Sequence, residues 1–496
     1  MLKNENKIRI ITLLTVLLFF NIQVNALSID INNKNIKTDV TPIKKWTYLT
    51  YASWDATIGK NLVKNDTQHL LDIMKSIGSN EDLNIVMLQD TMFPNDETKL
   101  NYFEKDNIVD LTWDEKDSDM GNKDILVKFV KKVKTEYPAE NYALILSSPR
   151  GMGWQGICHD DDTAKARTQS LFELKNMDMP ELSSALREVT NNGRDKIDVI
   201  GFATCITGSL EVAYQIAPFA NYMVASEENM QSFTSNQKYA WPVNKSLNAL
   251  KNNTNMTAEE FAKCIVKNFH AAKNTSAYIG VPFINRKVNV PVDTTLAAVN
   301  LSKISEVAVS IDNLASSLND NMRFYKKKIK EARFEARKFG PWYARTALGY
   351  FLYLPVFMNI YEKLGIPFFM DVWVDPYHFS ELLSASIDSD DPDSDSITDE
   401  CYAVMNAINN SIIALNVSEG DNAHGLHIYF PSSAHRHNKH LWYIGLREIF
   451  ILRRAYACYE DLDFAEATSW NEMLYKVYGI PDCLVDLWLK QKMRIL

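Results

Sequence analysis

Asp198-Val-Ile-Gly-Phe-Ala-Thr-Cys205-Ile-Thr-Gly-Ser-Leu-Glu-Val-Ala-Tyr-Gln-Ile216, followed by Asn221-Tyr-Met-Val-Ala-Ser-Glu-Glu228, decides the fold. Val199 to Phe202 is an apolar run of strand length. Leu210, Ala213, Tyr214 and Ala217 then recur at helical spacing, and Tyr222 to Ala225 reads as the next strand. Cys205 therefore sits where a buried strand hands over to a helix. In an open α/β sheet, ligand-binding and catalytic groups collect at that junction. A thiol near a helix N-terminus also feels a field that favours thiolate.

The same alternation extends toward the N-terminus. Strands are expected at Trp46–Ser53, 84–90 and Tyr142–Ser147, with a small β excursion over 102–113. Helices are expected over 61–77, 122–137 and 179–190. Strands alternating with amphipathic helices imply a mostly parallel sheet with helices on both faces, joined by right-handed crossovers. After Phe233 the pattern weakens. Residues 258–272 and 297–322 read as helices, and 441–496 as a mainly helical C-terminal region anchored by Trp442, Trp470 and Trp488. Arg323 to Lys338 reads as a basic, solvated helix face.

The chain has 496 residues, of which 46% are hydrophobic, so it can bury a large core over one elaborated domain or two. Its net charge of −9 argues against nucleic acid or an anionic membrane as main partner. Lys3, Lys7 and Arg9 precede an apolar run from Ile10 to Phe20, and Val24-Asn-Ala26 supplies a small-residue cleavage site. Residues 1–26 thus read as a signal peptide that exports the chain. A loose lead-in over 27–45, a catalytic-type domain over 46–290 and a C-terminal region over 291–496 follow. Within the last, the aromatic stretch 343–373 is read as a buried hairpin in preference to a membrane contact. Six cysteines include no CxxC pair, which excludes a zinc knuckle, and Asp388 to Asp395 reads as a solvated loop lacking the glycine of a calcium loop.

The Cys205 stretch, with Gly425-Leu-His-Ile-Tyr-Phe-Pro431, resembles the clostripain family of cysteine peptidases (family C11) over roughly residues 46–431. The resemblance implies a caspase-like fold, a polypeptide substrate, Cys205 at the nucleophile position and residues 425–431 as a returning strand. In that family the catalytic histidine opens a His-Gly-x-Gly-Trp pattern. The matching segment here is Arg150-Gly-Met-Gly-Trp154, so Arg150 stands where the histidine is expected. Guanidinium stays protonated at any accessible pH and cannot relay a proton. His159, nine residues on, is the candidate substitute base, read otherwise as a loop histidine among carboxylates. The acid that holds a basic P1 side chain, two residues before the nucleophile, is replaced by Ala203, with Glu227 and Glu228 as candidate compensating groups. The resemblance further places autoprocessing at Lys165 or Arg167 and leaves calcium as an associated ion.

Two functions from different classes follow. One is an exported cysteine endopeptidase homologue with impaired or reshaped activity. The other is a pseudopeptidase that binds a polypeptide or protein partner without cutting it. A membrane-associated role through 343–373 is a third.

Overall fold

The computed structural model describes residues 42–54, 60–91, 97–149, 151–160, 175–230, 240–271, 275–280, 287–340, 372–432 and 459–479. In chain order the strands are β1 (Lys44–Trp54), β2 (Leu83–Thr91), β3 (Lys99–Glu104), β4 (Asn107–Leu111), β5 (Ala139–Ser147), β6 (Ile157–Asp160), β7 (Lys175–Met177), β8 (Ile197–Ala203) and β9 (Ala220–Ala225). They continue as β10 (Thr275–Gly280), β11 (Lys287–Val292), β12 (Leu296–Asn300), β13 (Lys338–Phe339), β14 (Trp373–Val374), β15 (Ile412–Asn416) and β16 (Ile428–Tyr429). Nine of them form one sheet in the order β15-β12-β9-β8-β5-β1-β2-β3-β4. The central strands β9, β8, β5, β1 and β2 run parallel, and the strands outside them are antiparallel.

Strand periodicity divides the core in two, because alternate side chains leave opposite faces of a sheet. Leu49 and Tyr51 of β1, Leu144 and Leu146 of β5, and Ile200 and Phe202 of β8 meet helices Lys123–Glu136, Met179–Val189, Leu210–Ile216 and Ile304–Asp320. Their neighbours Tyr48, Ala143, Ile145 and Val199 meet helices Lys60–Ile77, Val243–Asn252 and Ala258–Asn268. Local signals fix the helix starts. Asp178 and Glu181 form a reciprocal capping box at Met179–Val189, with Pro180 in its first turn.

The expected strands and helices before residue 226 all form, and the 102–113 excursion is the β3–β4 hairpin on the sheet edge. Later segments differ. Leu296 to Asn300 begins the stretch read as helical but is a strand, because its short buried apolar run completes the sheet beside β9. Helix Ser394–Ser411 starts inside the acidic stretch read as a loop, and Lys328 binds Asp388 and Asp391 there. Ile428–Tyr429 does return as a strand, but in a separate three-stranded sheet with β13 and β14. The described residues from Ile43 onward form one compact unit, and the main sheet takes strands from both sides of residue 290.

Residues 1–41, which include the segment read from the sequence as a signal peptide, lie outside the described residues, as do Arg150, Lys165, Arg167, Trp442, Trp488 and all of 343–373 but its last two residues. Among the described residues no helix is long and apolar enough to cross a membrane.

Candidate active site

Cys205 lies two residues past β8, at the edge where β8 and β5 end side by side. The chain turns sharply here. Ile206 has φ +52°, a left-handed conformation that is costly for a β-branched residue and persists only when its surroundings impose it. Three hydrogen bonds do so. The Ile206 N–H donates to the Glu228 carbonyl (3.1 Å) and the Gly208 N–H to the Ser226 carbonyl (2.7 Å). The Met230 N–H donates to the Cys205 sulfur (3.3 Å), which in turn lies 3.8 Å from the Met230 carbonyl. The turn after β9 thus holds the Cys205 loop from one side.

The glycine-rich segment holds it from the other. A Cβ on Gly151 would fall 2.1 Å from the Cys205 carbonyl oxygen, so only glycine lets these backbones meet. Gly153, with φ +60°, packs against the Trp373 ring and the Ile206 carbonyl. Trp154 is fully buried among Trp373, Tyr429 and Tyr459, with ring centroids 5.5–6.4 Å away. Arg150 immediately precedes this contact in sequence.

Cys205 is partly exposed and packs on the edge of the core. Burial of its thiol pushes the pKa up to about 11, the Met230 N–H opposes that rise, and the Glu228 charge adds to it. The helix field expected from the sequence does not win. Helix Leu210–Ile216 begins five residues beyond Cys205, capped by Ser209, and its first turn already carries Glu211. The Glu211 carboxylate accepts from the Tyr429 N–H (2.7 Å) and the Tyr459 hydroxyl (3.1 Å).

The remaining candidates fall around the thiol rather than on it. His159 is a fully buried residue of β6, not a loop histidine, and its carbonyl accepts from the Ser53 hydroxyl (3.0 Å). The Cys205 sulfur makes its hydrogen bonds to Met230 and none to His159. Ala203 ends β8 and is half-buried. Glu227 and Glu228 are both buried and turned into the protein. Glu228 accepts from the N–H groups of Asn229 (3.1 Å) and Gly340 (3.2 Å) and lies 3.7 Å from the Arg337 guanidinium. Glu227 is held well above the usual carboxylate range by burial, with the Asp375 charge adding to the shift.

A second histidine was not singled out from the sequence. His427 lies in the segment Gly425 to Pro431 and is fully buried. Its backbone accepts from the Leu210 N–H and donates to the Gly208 carbonyl, and its ring packs 4.8 Å from Trp373 and 6.0 Å from Phe339. Burial drives its pKa down to about 3, so it is neutral and poorly basic. Its only sequence signal was membership of that segment. Cys158, Cys205, Cys264 and Cys401 are free thiols. Among the described residues no three His, Cys, Asp or Glu side chains converge to hold a metal ion.

The sequence model of the clostripain family of C11 peptidases matches residues 55–488. Clostripain from Hathewaya histolytica is 26% identical over 233 residues, which is 43% of this chain and 42% of that protein, so the match spans less than half of the relative. Two solved structures share the fold. An inactive zymogen C11 protease from Parabacteroides distasonis superposes with a TM-score of 0.54 at 15% identity, covering 86% of this chain and 99% of that one. A secreted C11 cysteine protease from Bacteroides thetaiotaomicron, in complex with an irreversible peptide inhibitor, gives 0.52 at 14%, with the same coverage. The nine-stranded sheet, the Cys205 junction and the match over most of the sequence agree: this chain belongs to the clostripain family.

Proposed function

We propose that this protein is an exported clostripain homologue that binds polypeptide at the Cys205 edge of its sheet and cleaves it slowly or not at all. The observation that carries this is the state of the Cys205 sulfur. Among the described residues it is hydrogen-bonded to Met230 and to no histidine, and its burial raises the thiol pKa to about 11. A cysteine peptidase needs a base to make the thiolate and an acid to protonate the leaving amine. Arg150, at the family's histidine position, supplies neither, while His159 and His427 are buried. Loss of general acid–base help costs about 10²–10⁴-fold in rate.

Selection for a basic P1 residue is weakened by the same reading. Ala203 offers no charge, Glu228 is engaged with Arg337 and Gly340, and Glu227 is fully buried. The N-terminal pattern Lys3 to Ala26 supports export.

The test uses the mature chain with basic and non-basic peptide reporters and an irreversible thiol-directed peptide probe. Labelling at Cys205 is expected to be slow, absent in Cys205→Ala, and faster by 10-fold or more in Arg150→His, in line with regained acid–base help. Rapid cleavage by the native chain, lost in Cys205→Ala and indifferent to the P1 charge, would overturn the impaired-turnover reading. A native chain that neither labels nor binds the peptides would overturn the polypeptide reading.

A further inference from the structure

Among the described residues, the Arg337 guanidinium faces a group of five carboxylates drawn from four separate segments. Its guanidinium grips Asp421 through two nitrogens (2.6 and 3.0 Å), reaches Asp293 at 3.4 Å and stands 3.7 Å from Glu228. Glu227 and Asp375 complete the group, and Asp375 is paired with His424 (3.3 Å). The Arg337 main-chain N–H donates to His378 Nδ1 (3.0 Å), and the guanidinium lies 4.6 Å over the Phe339 ring. Only 12% of the side chain is exposed.

This ion group lies behind the turn that holds the thiol. Glu228 joins the two: its carboxylate takes the Gly340 N–H and faces Arg337, while its carbonyl takes the Ile206 N–H. Two residues on, the Met230 N–H meets the sulfur. With the Arg337 charge removed, the Glu228 carboxylate would feel the surrounding carboxylates more strongly, and its contact with Gly340 would weaken. The turn would move with it, and the Ile206 and Met230 hydrogen bonds with the turn.

We propose that Arg337 is a positioning residue for Cys205: by neutralising and orienting Glu228 it keeps the 226–230 turn, and so the Met230 N–H, on the sulfur. The inference rests on Cys205 being the reactive thiol, and it concerns the set of that thiol rather than peptide turnover. Arg337 touches neither the sulfur nor a substrate; it acts through Glu228.

The experiment is the pH dependence of iodoacetamide alkylation at Cys205 in the full chain, read by mass spectrometry of the Cys205 peptide so that other cysteines do not interfere. It needs no peptidase activity, so a silent enzyme leaves it readable, and failure here leaves the peptide-binding reading standing. In Arg337→Met the inflection is expected to move up and alkylation at pH 8 to slow about tenfold, the effect of one unit in thiol pKa. Arg337→Lys, which keeps the charge, restores most of the rate. Glu228→Gln keeps an acceptor for Gly340 and moves the inflection down, and in that background Arg337→Met has little further effect. A folded Arg337→Met with the native profile overturns the proposal, as do additive shifts in the double variant. Should Arg337→Met fail to fold, Glu228→Gln alone decides: an unmoved inflection overturns it.

Discussion

Replacing His427 should change stability with a pH dependence that its burial dictates. The unfolded chain protonates this histidine near its ordinary pKa of 6.5, whereas the folded ring resists until about 3. A base with a depressed folded pKa contributes stability that is present above 6.5 and is lost as the pH falls toward 3. Between pH 7 and pH 5 the loss is about 2 kcal/mol, from proton uptake by the unfolded state alone. His427→Gln and His427→Phe remove that uptake. At pH 7 each variant loses a packing contribution set by Trp373 and Phe339, different for the two. By pH 5 each should have regained about 2 kcal/mol relative to the native chain, and equally. Urea unfolding at both pH values measures this gap. If it stays constant within about 0.5 kcal/mol, His427 accepts a proton inside the fold. The burial argument would then be wrong, and His427 would return as a candidate base beside the Cys205 loop.

Glu227 runs the other way. Its folded pKa is raised, so its contribution is full below the unfolded value near 4.5 and is lost as pH rises through the folded one; Glu227→Gln should therefore raise the thermal midpoint at pH 8 and leave it nearly unchanged at pH 4. Gly151→Ala places a methyl 2.1 Å from the Cys205 carbonyl, and backbone must shift to admit it. The expected loss is about 1–3 kcal/mol by thermal unfolding, together with altered iodoacetamide labelling of Cys205; an unchanged midpoint and labelling rate would mean the two backbones are not in contact.

The parallel half of the fold was legible because each element carries its own signal. The β8 strand, the helix after it and β9 lie within thirty-one consecutive residues, and a buried parallel strand reads as an unbroken apolar run. Leu296 to Asn300 was not legible, since its apolar run flows into helix Ile304–Asp320 and only pairing with β9 decides its state. The position of Cys205 could be read from the strand-to-helix handover. The partners of Cys205 could not. Met230 reaches the sulfur through main-chain atoms, for which no side-chain pattern exists. Glu227 and Glu228 looked like open acids, yet both are buried, and Glu228 faces Arg337, over a hundred residues away. His159 looked like a loop residue because its neighbours are polar, yet β6 carries it inside.

The site keeps those family features that the fold itself needs. Gly151, Gly153 and Trp154 are fixed by backbone contact and by the aromatic cluster, and Glu228 is held by Arg337 and Gly340. Each would cost stability if changed, whether or not the thiol reacts. Arg150 and Ala203 stand where the resemblance expects a proton carrier and a substrate-binding charge. Ala203 still ends β8 as a half-buried residue with the strand intact, so that position tolerates loss of the acid. A chain relieved of proteolysis but still required to fold and present its sheet edge would change in this pattern. The raised thiol pKa belongs to the same account. Burial favours the neutral form of the Cys205 thiol, which fits a site that no longer needs a ready thiolate.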